Sequence, residues 1–393
     1  MLQKNARITE KLKKIKPTGI RRLFEVAREI PNAINLGIGE PDFTSPKHVI
    51  DAIEKALKNG KTHYSPNFGI PELLEAISIK MKREYGLSYD AENQILVTIG
   101  AMEAFFLGLM AVIKPGDEVL IPDPGFLCYE PAVWLTGGVP VHYPLLESRN
   151  FGLDEEAVRS LITEKSRVMV INSPHNPTGS VLSYDELSKL AKLAVEHDLI
   201  VISDEVYEKI TYDGVKHYCM AAFPGMKDRT IVINSFSKTY AMTGLRIGFA
   251  VGPEDLIRAM GLIHQYSVVC VSTPTQYGAL AALEGPQDFV EGMVREFDRR
   301  RKLICSRLCE ISGIKCVIPR GAFYVFPNIK EFGMSSEKFA EYLLREAKVA
   351  TVPGSSFGGY GEGYLRISYA ASYEQIEEAM DRIEKAVKKL KGV

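Results

Sequence analysis

Lys238 is the residue of this chain with the clearest capacity for covalent chemistry. It closes the segment Asn234–Lys238, which follows a run of apolar residues, and Arg246 comes eight positions later. A lysine just past the carboxyl end of a sheet strand faces the crevice where α/β proteins bind ligands. Its amine can form a Schiff base with an aldehyde if its pKa is lowered. Ser235 and Arg246 offer a hydroxyl and a planar guanidinium, which suit a phosphate.

A carboxylate and an amide follow two other apolar runs. Asp204 ends the run Leu199–Asp204, with Tyr207 three residues later, and Asn176 lies at the tip of a turn that contains two prolines. An ionised aspartate beside a pyridine nitrogen keeps that nitrogen protonated, because the opposite charge favours the charged form. Either residue has an ordinary alternative, since Asp204 could cap a helix and Asn-Pro is common in turns. Asp204 and Asn176 therefore indicate a catalytic site only in combination with Lys238.

The segment Ile99-Gly100-Ala101-Met102 ends another apolar run and opens a helical pattern. Small residues at such a junction let backbone N–H groups approach an anion at the helix N-terminus. The segment is neither a Walker loop nor a full dinucleotide fingerprint, so by itself it is a weak signal.

Seven short apolar runs must position these residues. Most are continuous Val/Ile/Leu stretches without polar alternation, which is typical of strands covered on both faces. Between them lie segments with apolar residues at helical spacing. The pattern predicts an α/β fold with a mainly parallel seven-stranded sheet covered by helices. The runs are Gln94–Ile99, Glu118–Ile121, Val139–Tyr143, Val168–Asn172, Leu199–Asp204, Thr230–Asn234 and Ile247–Val251.

The sequence changes in character after about residue 285. A long charged helix is predicted over Asp288–Glu310, then a strand over Ala322–Ile329, and a closing helix over Tyr373–Leu390. We therefore predict a large ligand-binding domain of residues 48–285. Residues 1–47 and 286–393 would form a smaller α+β domain.

The composition excludes several classes of protein. The chain has 393 residues, 46% of them hydrophobic and 25% charged, and a net charge of −1, which does not favour nucleic acid or a membrane surface as partner. The run Leu96–Ile113 approaches the length of a membrane span, but it contains Glu103 and breaks at Gly100, so a buried strand–turn–helix is expected. The six cysteines show no metal-ligand spacing, and no metal site is predicted. Together with the lack of an export signal, they suggest a reducing cytoplasm.

These segments together resemble the class I aminotransferases of pyridoxal-phosphate fold type I, over nearly the whole chain. Their order along the chain is far more specific than any one of them. The matching segments are Gly39–Phe43, Tyr64, Asn176–Gly179, Asp204–Tyr207, Ser235–Lys238, Arg246, Gly321–Tyr324 and Arg366–Ser368.

The resemblance implies roles at pyridoxal 5'-phosphate. Lys238 would form the Schiff base and, once displaced by substrate, would move the Cα proton. Asp204 would pair with the pyridinium nitrogen, while Asn176 and Tyr207 would hydrogen-bond the phenolic oxygen. The resemblance assigns further cofactor contacts, mostly at the phosphate, to Gly100, Ala101, Met102, Phe126, Ser235 and Arg246, with Phe126 stacked on the ring. Tyr64 would reach the phosphate from the neighbouring subunit, which implies a homodimer with shared sites.

The substrate contacts implied by the resemblance are Arg366 at the α-carboxylate, helped by Asn176 and Gly39, with Phe126 and Ile20 nearby. Aspartate-specific relatives have a lysine at the position of Met102 and a hydroxyl residue near that of Ile20. Both positions are apolar here, and an unpaired buried carboxylate is costly. We therefore expect an aromatic amino donor, with 2-oxoglutarate as a plausible acceptor, in a ping-pong reaction.

Several alternatives stay open from sequence. Arg21 could still bind a dicarboxylate, and Met102 could simply pack the helix, so an aspartate or alanine aminotransferase is possible. A carbon–sulfur lyase or an aminocyclopropane-carboxylate synthase could carry the same segments. A transcription regulator of this fold would need a DNA-binding domain before Gly37. A non-catalytic relative would be expected to lack Lys238 or Asp204.

Overall fold

The structure is a computed structural model that describes residues 9, 12, 13, 15 and 30–392. The strands of this part are β1 (Ile34–Asn35), β2 (Ile95–Thr98), β3 (Glu118–Asp123), β4 (Val139–Pro144), β5 (Ser166–Asn172), β6 (Ile200–Asp204), β7 (Thr230–Ser235), β8 (Gly248–Val251), β9 (Tyr324–Val325), β10 (Val349–Ala350), β11 (Val352–Pro353) and β12 (Leu365–Ser368). Its α-helices are α1 (Lys47–Lys58), α2 (Pro71–Tyr85), α3 (Gly100–Val112), α4 (Tyr129–Thr136), α5 (Glu155–Leu161), α6 (Tyr184–Glu196), α7 (Phe236–Thr239), α8 (Glu254–Ser267), α9 (Thr273–Glu284), α10 (Asp288–Glu310), α11 (Ser336–Tyr342) and α12 (Tyr373–Lys391).

Seven strands form the main sheet, in the order β2-β8-β7-β6-β5-β3-β4. Strand β8 runs antiparallel to both of its neighbours, and the other pairs are parallel. Each of the seven strands overlaps one of the seven predicted runs. The α/β fold with a mainly parallel seven-stranded sheet is therefore confirmed.

Both faces of this sheet are buried, which explains the continuous apolar runs. Alternate residues of a strand point to opposite faces. Val168 and Val170 of β5 belong to a core cluster with residues of α3 and α8, whereas Met169 and Ile171 belong to a second cluster with residues of α6. The expected strand–turn–helix at Leu96–Ile113 is also present, as β2 and α3. The described residues contain no helix with the length and apolar character that crossing a membrane requires.

The C-terminal part carries a smaller antiparallel sheet of order β11-β12-β9. Helix α10 has the predicted bounds, but the strand predicted over Ala322–Ile329 is wrong in length, because only Tyr324–Val325 is a strand. Ala322 has a φ of +55°, outside the extended region, and Pro327 has no N–H for a ladder. Asn328 makes only isolated bridges.

The domain bounds at 48 and 285 stay a prediction. One contact supports the grouping of the two chain ends: β1 pairs in parallel with β10, through Ile34 with Val349 and Asn35 with Ala350. Residues just after β1 and residues of β12 both reach the main sheet's carboxyl edge, where the candidate site lies.

Candidate active site

A cavity of about 450 Å³ lies at the carboxyl ends of β5, β6 and β7. This volume suits a small ligand, and the carboxyl edge is where open α/β sheets bind ligands. The predicted site residues that line it are Gly39, Ala101, Met102, Phe126, Asn176, Asp204, Tyr207, Ser235, Lys238, Arg246 and Arg366. The structure thus brings together residues that lie more than 300 positions apart in sequence.

Two of the predicted residues that the structure describes are not in the lining. Gly100 lies just behind it, where a side chain would come within 2.8 Å of the Arg246 guanidinium, and its φ of +75° also favours glycine. Tyr64 lies outside the cavity with 85% of its surface exposed. Its expected role at a neighbouring subunit's site stays a prediction. Ile20 lies outside the described residues.

Lys238 belongs to the short helix α7, whose N-cap is Ser235. Its Nζ donates to the Gly39 carbonyl oxygen at 2.6 Å. The pKa of the amine is lowered to about 8, first by burial and then by the positive charge of Arg366, with Glu40 acting in the opposite sense. A substantial neutral fraction is therefore present near pH 8, and the neutral amine is the form that attacks an aldehyde.

Asp204 is the last residue of β6, and burial raises the pKa of its carboxyl group to about 6. Oδ2 accepts a hydrogen bond from Tyr129 Oη at 2.6 Å, and Oδ1 accepts one from Val206 N at 3.4 Å. No ion pair among the described residues involves this carboxylate. A protonated pyridine nitrogen would supply the missing positive charge.

Arg366, on β12, is 5% exposed and also lacks an acidic partner among the described residues. Its Nη1 donates to Asn176 Oδ1 at 3.0 Å and its Nη2 to the Gly37 carbonyl at 2.7 Å, while Nε has no partner. Burial lowers the pKa of the guanidinium. A buried cation with a free donor fits a ligand carboxylate.

The turn that carries Asn176 is held by side chains rather than by proline alone. Asn172 Oδ1 accepts from Asn176 N at 2.9 Å, and Asn172 Nδ2 donates to the Asp204 carbonyl at 3.0 Å. Asn172 therefore ties the turn to the ends of β5 and β6, which fixes Asn176 relative to Asp204.

Several donors converge at the start of α3, where an anion would fit. The first N–H groups of a helix have no partner within it. Arg246 approaches this helix end and donates from Nη1 to the Thr243 carbonyl, and the hydroxyls of Ser235 and Ser237 line the same end of the cavity. The described residues give Arg246 no acidic partner. This donor set suits a phosphate group.

Two hydroxyl groups of this site were missed by the sequence analysis. Tyr129 binds Asp204, and its ring lies 5.6 Å from that of Phe126 in an edge-to-face contact. Because Phe126 precedes the helix that begins at Tyr129, their spacing in sequence did not indicate this contact. Tyr324 belongs to the matching segments, but no sequence signal indicated that its Oη lies 2.8 Å from Tyr207 Oη.

A family model described as "Aminotransferase class I and II" matches residues 31–383. The chain belongs to this family. It is 50% identical over 386 residues to an aspartate aminotransferase of Pyrococcus abyssi, covering 98% of this chain and 99% of the relative. It is 48% identical to aromatic-amino-acid aminotransferase 2 of Thermococcus litoralis, covering 98% and 100%.

A solved structure supports the same family and fold. The crystal structure of an aromatic aminotransferase from Pyrococcus horikoshii matches with a TM-score of 0.90 and 49% identity, covering 94% of this chain and 100% of that one. The predicted family and fold type are thereby confirmed, and the chain is an aminotransferase. The relatives' names include both aspartate and aromatic donors.

Proposed function

We propose that this aminotransferase uses pyridoxal 5'-phosphate to move an amino group from an aromatic L-amino acid to 2-oxoglutarate, by a ping-pong mechanism. The observation that carries the cofactor proposal is the half-buried carboxylate of Asp204, which has no ion pair among the described residues and lies in the same cavity as the Lys238 amine. The Asp204 carboxylate suits a pyridinium nitrogen, and the Lys238 amine suits an aldehyde. The donor set at the start of α3 suits the phosphate between them.

When bound, pyridoxal phosphate supplies an aldehyde for the amino group and a protonated ring that withdraws electrons from Cα. The protein's residues supply the rest. Asp204 keeps the ring nitrogen protonated, and Arg366 binds the substrate α-carboxylate with Asn176 beside it. The Lys238 amine would take the proton from the substrate Cα and deliver it to the cofactor carbon that carries the aldehyde, two bonds away from Cα. Orientation by Arg366 matters because positioning can supply several kcal/mol, up to about 7–11 in ideal cases.

The cavity wall supports the aromatic donor. Ile38, Met102, Phe105, Phe126 and Leu127 give it an apolar surface. Its cationic lining residues among those described are Lys238, Arg246 and Arg366, and each already has a proposed partner. The distal carboxylate of aspartate would therefore lack a counter-charge there, whereas an aromatic ring would bury apolar area.

Aspartate is the second candidate, because the relative that is 50% identical is named an aspartate aminotransferase. The proposed acceptor 2-oxoglutarate also has a distal carboxylate. Arg21, beside Ile20, is the cation that the sequence offers to either dicarboxylate, and both residues lie outside the described part.

A donor panel separates these candidates. Purified protein loaded with pyridoxal phosphate is assayed with phenylalanine, tyrosine, aspartate and alanine at fixed 2-oxoglutarate. We expect kcat/KM for the aromatic donors to exceed that for aspartate by about tenfold or more, equivalent to ~1.4 kcal/mol. An aspartate preference of that size contradicts the aromatic proposal. Release of ammonia with the keto acid would indicate a lyase instead.

We also propose a homodimer with shared active sites. Tyr64, Leu262 and Tyr266 are 85%, 58% and 83% exposed. Hydrogen bonds from Asn67 to the Val269 carbonyl and from Thr273 to the His63 carbonyl hold the two segments together. Exposed apolar groups gathered in this way are typical of subunit interfaces. The six cysteines are free, which supports the proposed reducing cytoplasm.

Complementation tests the shared site. Tyr64→Ala and Lys238→Ala subunits are denatured, mixed in equal amounts and refolded, with each variant alone as control. If Tyr64 acts across the interface, half of the dimers are hybrids with one intact site, so about a quarter of the wild-type activity returns. A mixture no more active than the sum of its two components argues against a site shared through Tyr64.

A further inference from the structure

We propose that Tyr324 is a positioning residue: its hydroxyl donates to Tyr207 Oη and so directs the proton of Tyr207 at the cofactor's phenolic oxygen. The inference rests on the proposed function, because it takes pyridoxal phosphate as the ligand and Tyr207 as the contact to that oxygen. It adds a residue that acts through Tyr207 rather than on the cofactor.

The two phenol groups come from distant parts of the chain. Tyr207 follows β6 of the main sheet, and Tyr324 begins β9 of the smaller sheet. Their hydroxyl oxygens are 2.8 Å apart, and their rings meet edge to face at 5.8 Å and 82°. Both side chains are buried, and both line the cavity.

The number of protons decides the direction of this hydrogen bond. Each hydroxyl has one proton and two lone pairs. Among the described residues, the only hydrogen bond of either hydroxyl is the one that it makes with the other. If Tyr207 donates its proton to the phenolic oxygen, the proton between the two tyrosines must come from Tyr324. Two aligned donors polarise one another, which strengthens the outer bond.

The surroundings of Tyr324 keep its hydroxyl in this position. Gly39 packs so closely against Oη that a methyl group at residue 39 would collide with it. The Arg366 guanidinium lies over the Tyr324 ring, 4.6 Å from its centroid. Burial raises the pKa of Tyr324, and the positive charge of Arg366 opposes that rise. The charge of Arg366 therefore makes the Tyr324 hydroxyl a better hydrogen-bond donor.

The charged groups facing the pair come from several elements. Asp204 at the end of β6, Lys238 on α7 and Arg366 on β12 line the same cavity, as does Glu40 in the segment that follows β1. All four remain in place when only the Tyr324 hydroxyl is removed. A change in that variant can therefore be assigned to the hydroxyl.

The experiment measures the pKa of the visible absorption band of the bound cofactor, by spectrophotometric titration of the holoenzyme. The wild-type protein is titrated first, because a protein without such a band overturns the proposed function itself. In Tyr324→Phe we expect that pKa to rise by a few tenths of a unit, since a polarising partner strengthens a hydrogen bond by roughly 10–30%. Tyr207 would then be a weaker donor to the phenolic oxygen.

Two further variants make the test specific. Tyr369→Phe removes another buried hydroxyl from the same apolar cluster, one bonded to the Ala322 carbonyl and outside the cavity lining, and should leave the band pKa unchanged. In a Tyr207→Phe background, Tyr324→Phe should add no further shift, because its effect passes through Tyr207. An unchanged or lowered band pKa in Tyr324→Phe overturns the inference, as does an equal shift in the Tyr207→Phe background.

Discussion

Removal of the Tyr129 hydroxyl should change how tightly, and over which pH range, the protein binds pyridoxal phosphate. Tyr129 Oη donates to Asp204 Oδ2 at 2.6 Å, and burial holds the pKa of that carboxyl at about 6. The hydrogen bond stabilises the carboxylate form and so opposes the effect of burial. The substitution Tyr129→Phe keeps the ring and deletes only this donor.

The size of the effect follows from the type of bond. A short O–H···O⁻ bond is charge-assisted, and a hydrogen bond to a charged group contributes about 1.5–3 kcal/mol. At 1.36 kcal/mol per unit, its loss should raise the pKa of Asp204 by about one to two units, to roughly 7–8. At neutral pH the carboxyl group would then have to lose a proton before it could pair with the ring nitrogen. Because most of the wild-type carboxyl is ionised at pH 7, while about half to one tenth would be in the variant, cofactor affinity at pH 7 should fall by about two- to tenfold.

The assay is the dissociation constant of the cofactor at a series of pH values, measured by absorbance on stripped protein. A raised carboxyl pKa means that the ionised form is lost as pH falls, so wild-type affinity should decline as pH falls through about 6. In Tyr129→Phe the decline should begin about one to two pH units higher. Tyr143→Phe is the matched control, because its buried hydroxyl bonds the Val170 carbonyl and lies outside the cavity lining. The same pH profile in Tyr129→Phe and wild type would refute this reasoning.

Three other perturbations have definite expected outcomes. Met102→Lys adds a counter-charge to the cavity wall and should raise kcat/KM for aspartate relative to phenylalanine by about tenfold or more. Met110→Lys, at an exposed position of the same helix, should leave this ratio unchanged. An unchanged ratio in Met102→Lys counts against the proposal that the apolar wall disfavours aspartate. Lys80→Met removes the ion-pair partner of the buried Glu208 carboxylate and should lower the free energy of unfolding by ~3–5 kcal/mol in denaturant titrations. The exposed Lys47→Met should not change that free energy measurably, and equal stabilities of the two variants would contradict the argument. The rate at which stripped protein binds pyridoxal phosphate covalently should increase as pH rises through about 8, the pKa of Lys238, and a rate independent of pH there would show that the amine is not the attacking group.

The sequence could predict the sheet and most of the cavity lining for one physical reason. Parallel strands covered on both faces must be apolar along their length, so β5, β6 and β7 stand out as runs, and their polar last residues become visible at one edge. Asn172, Asp204 and Ser235 are those residues. The α/β pattern therefore predicts both the strands and the carboxyl edge of the sheet, where their last side chains lie.

The partners of these residues could not be predicted in the same way. Tyr129 reaches Asp204 because of the rotation of α4 about its axis, and Tyr324 reaches Tyr207 because β9 approaches the end of β6. Such contacts depend on how elements pack, and local patterns carry no information on that. The short β9 shows the same limit, since Ala322 leaves the extended region within an apolar segment that looks like a longer strand.

The segment Asp204–Glu208 also makes packing contacts that the sequence pattern did not indicate. Asp204 and Tyr207 line the cavity, whereas Glu205 and Glu208 do not and are held by other partners. Glu208 accepts from Lys80 at 2.7 Å and from Tyr85, and Glu205 accepts from Ser203 and from the Met220 N–H.

Burial alone would lower the pKa of Lys80, but Glu208 and Glu84 outweigh it and raise that pKa, so the lysine stays charged. Lys80 therefore remains a permanent cationic anchor for Glu208 behind the catalytic segment. Since a buried charge pair is costly to disrupt, Glu208 cannot leave its place without a large loss of stability. Because Glu208 is fixed, Tyr207 next to it is held facing the cavity. The acidic residues of this segment thus serve the site indirectly, by fixing the backbone from which Asp204 and Tyr207 project.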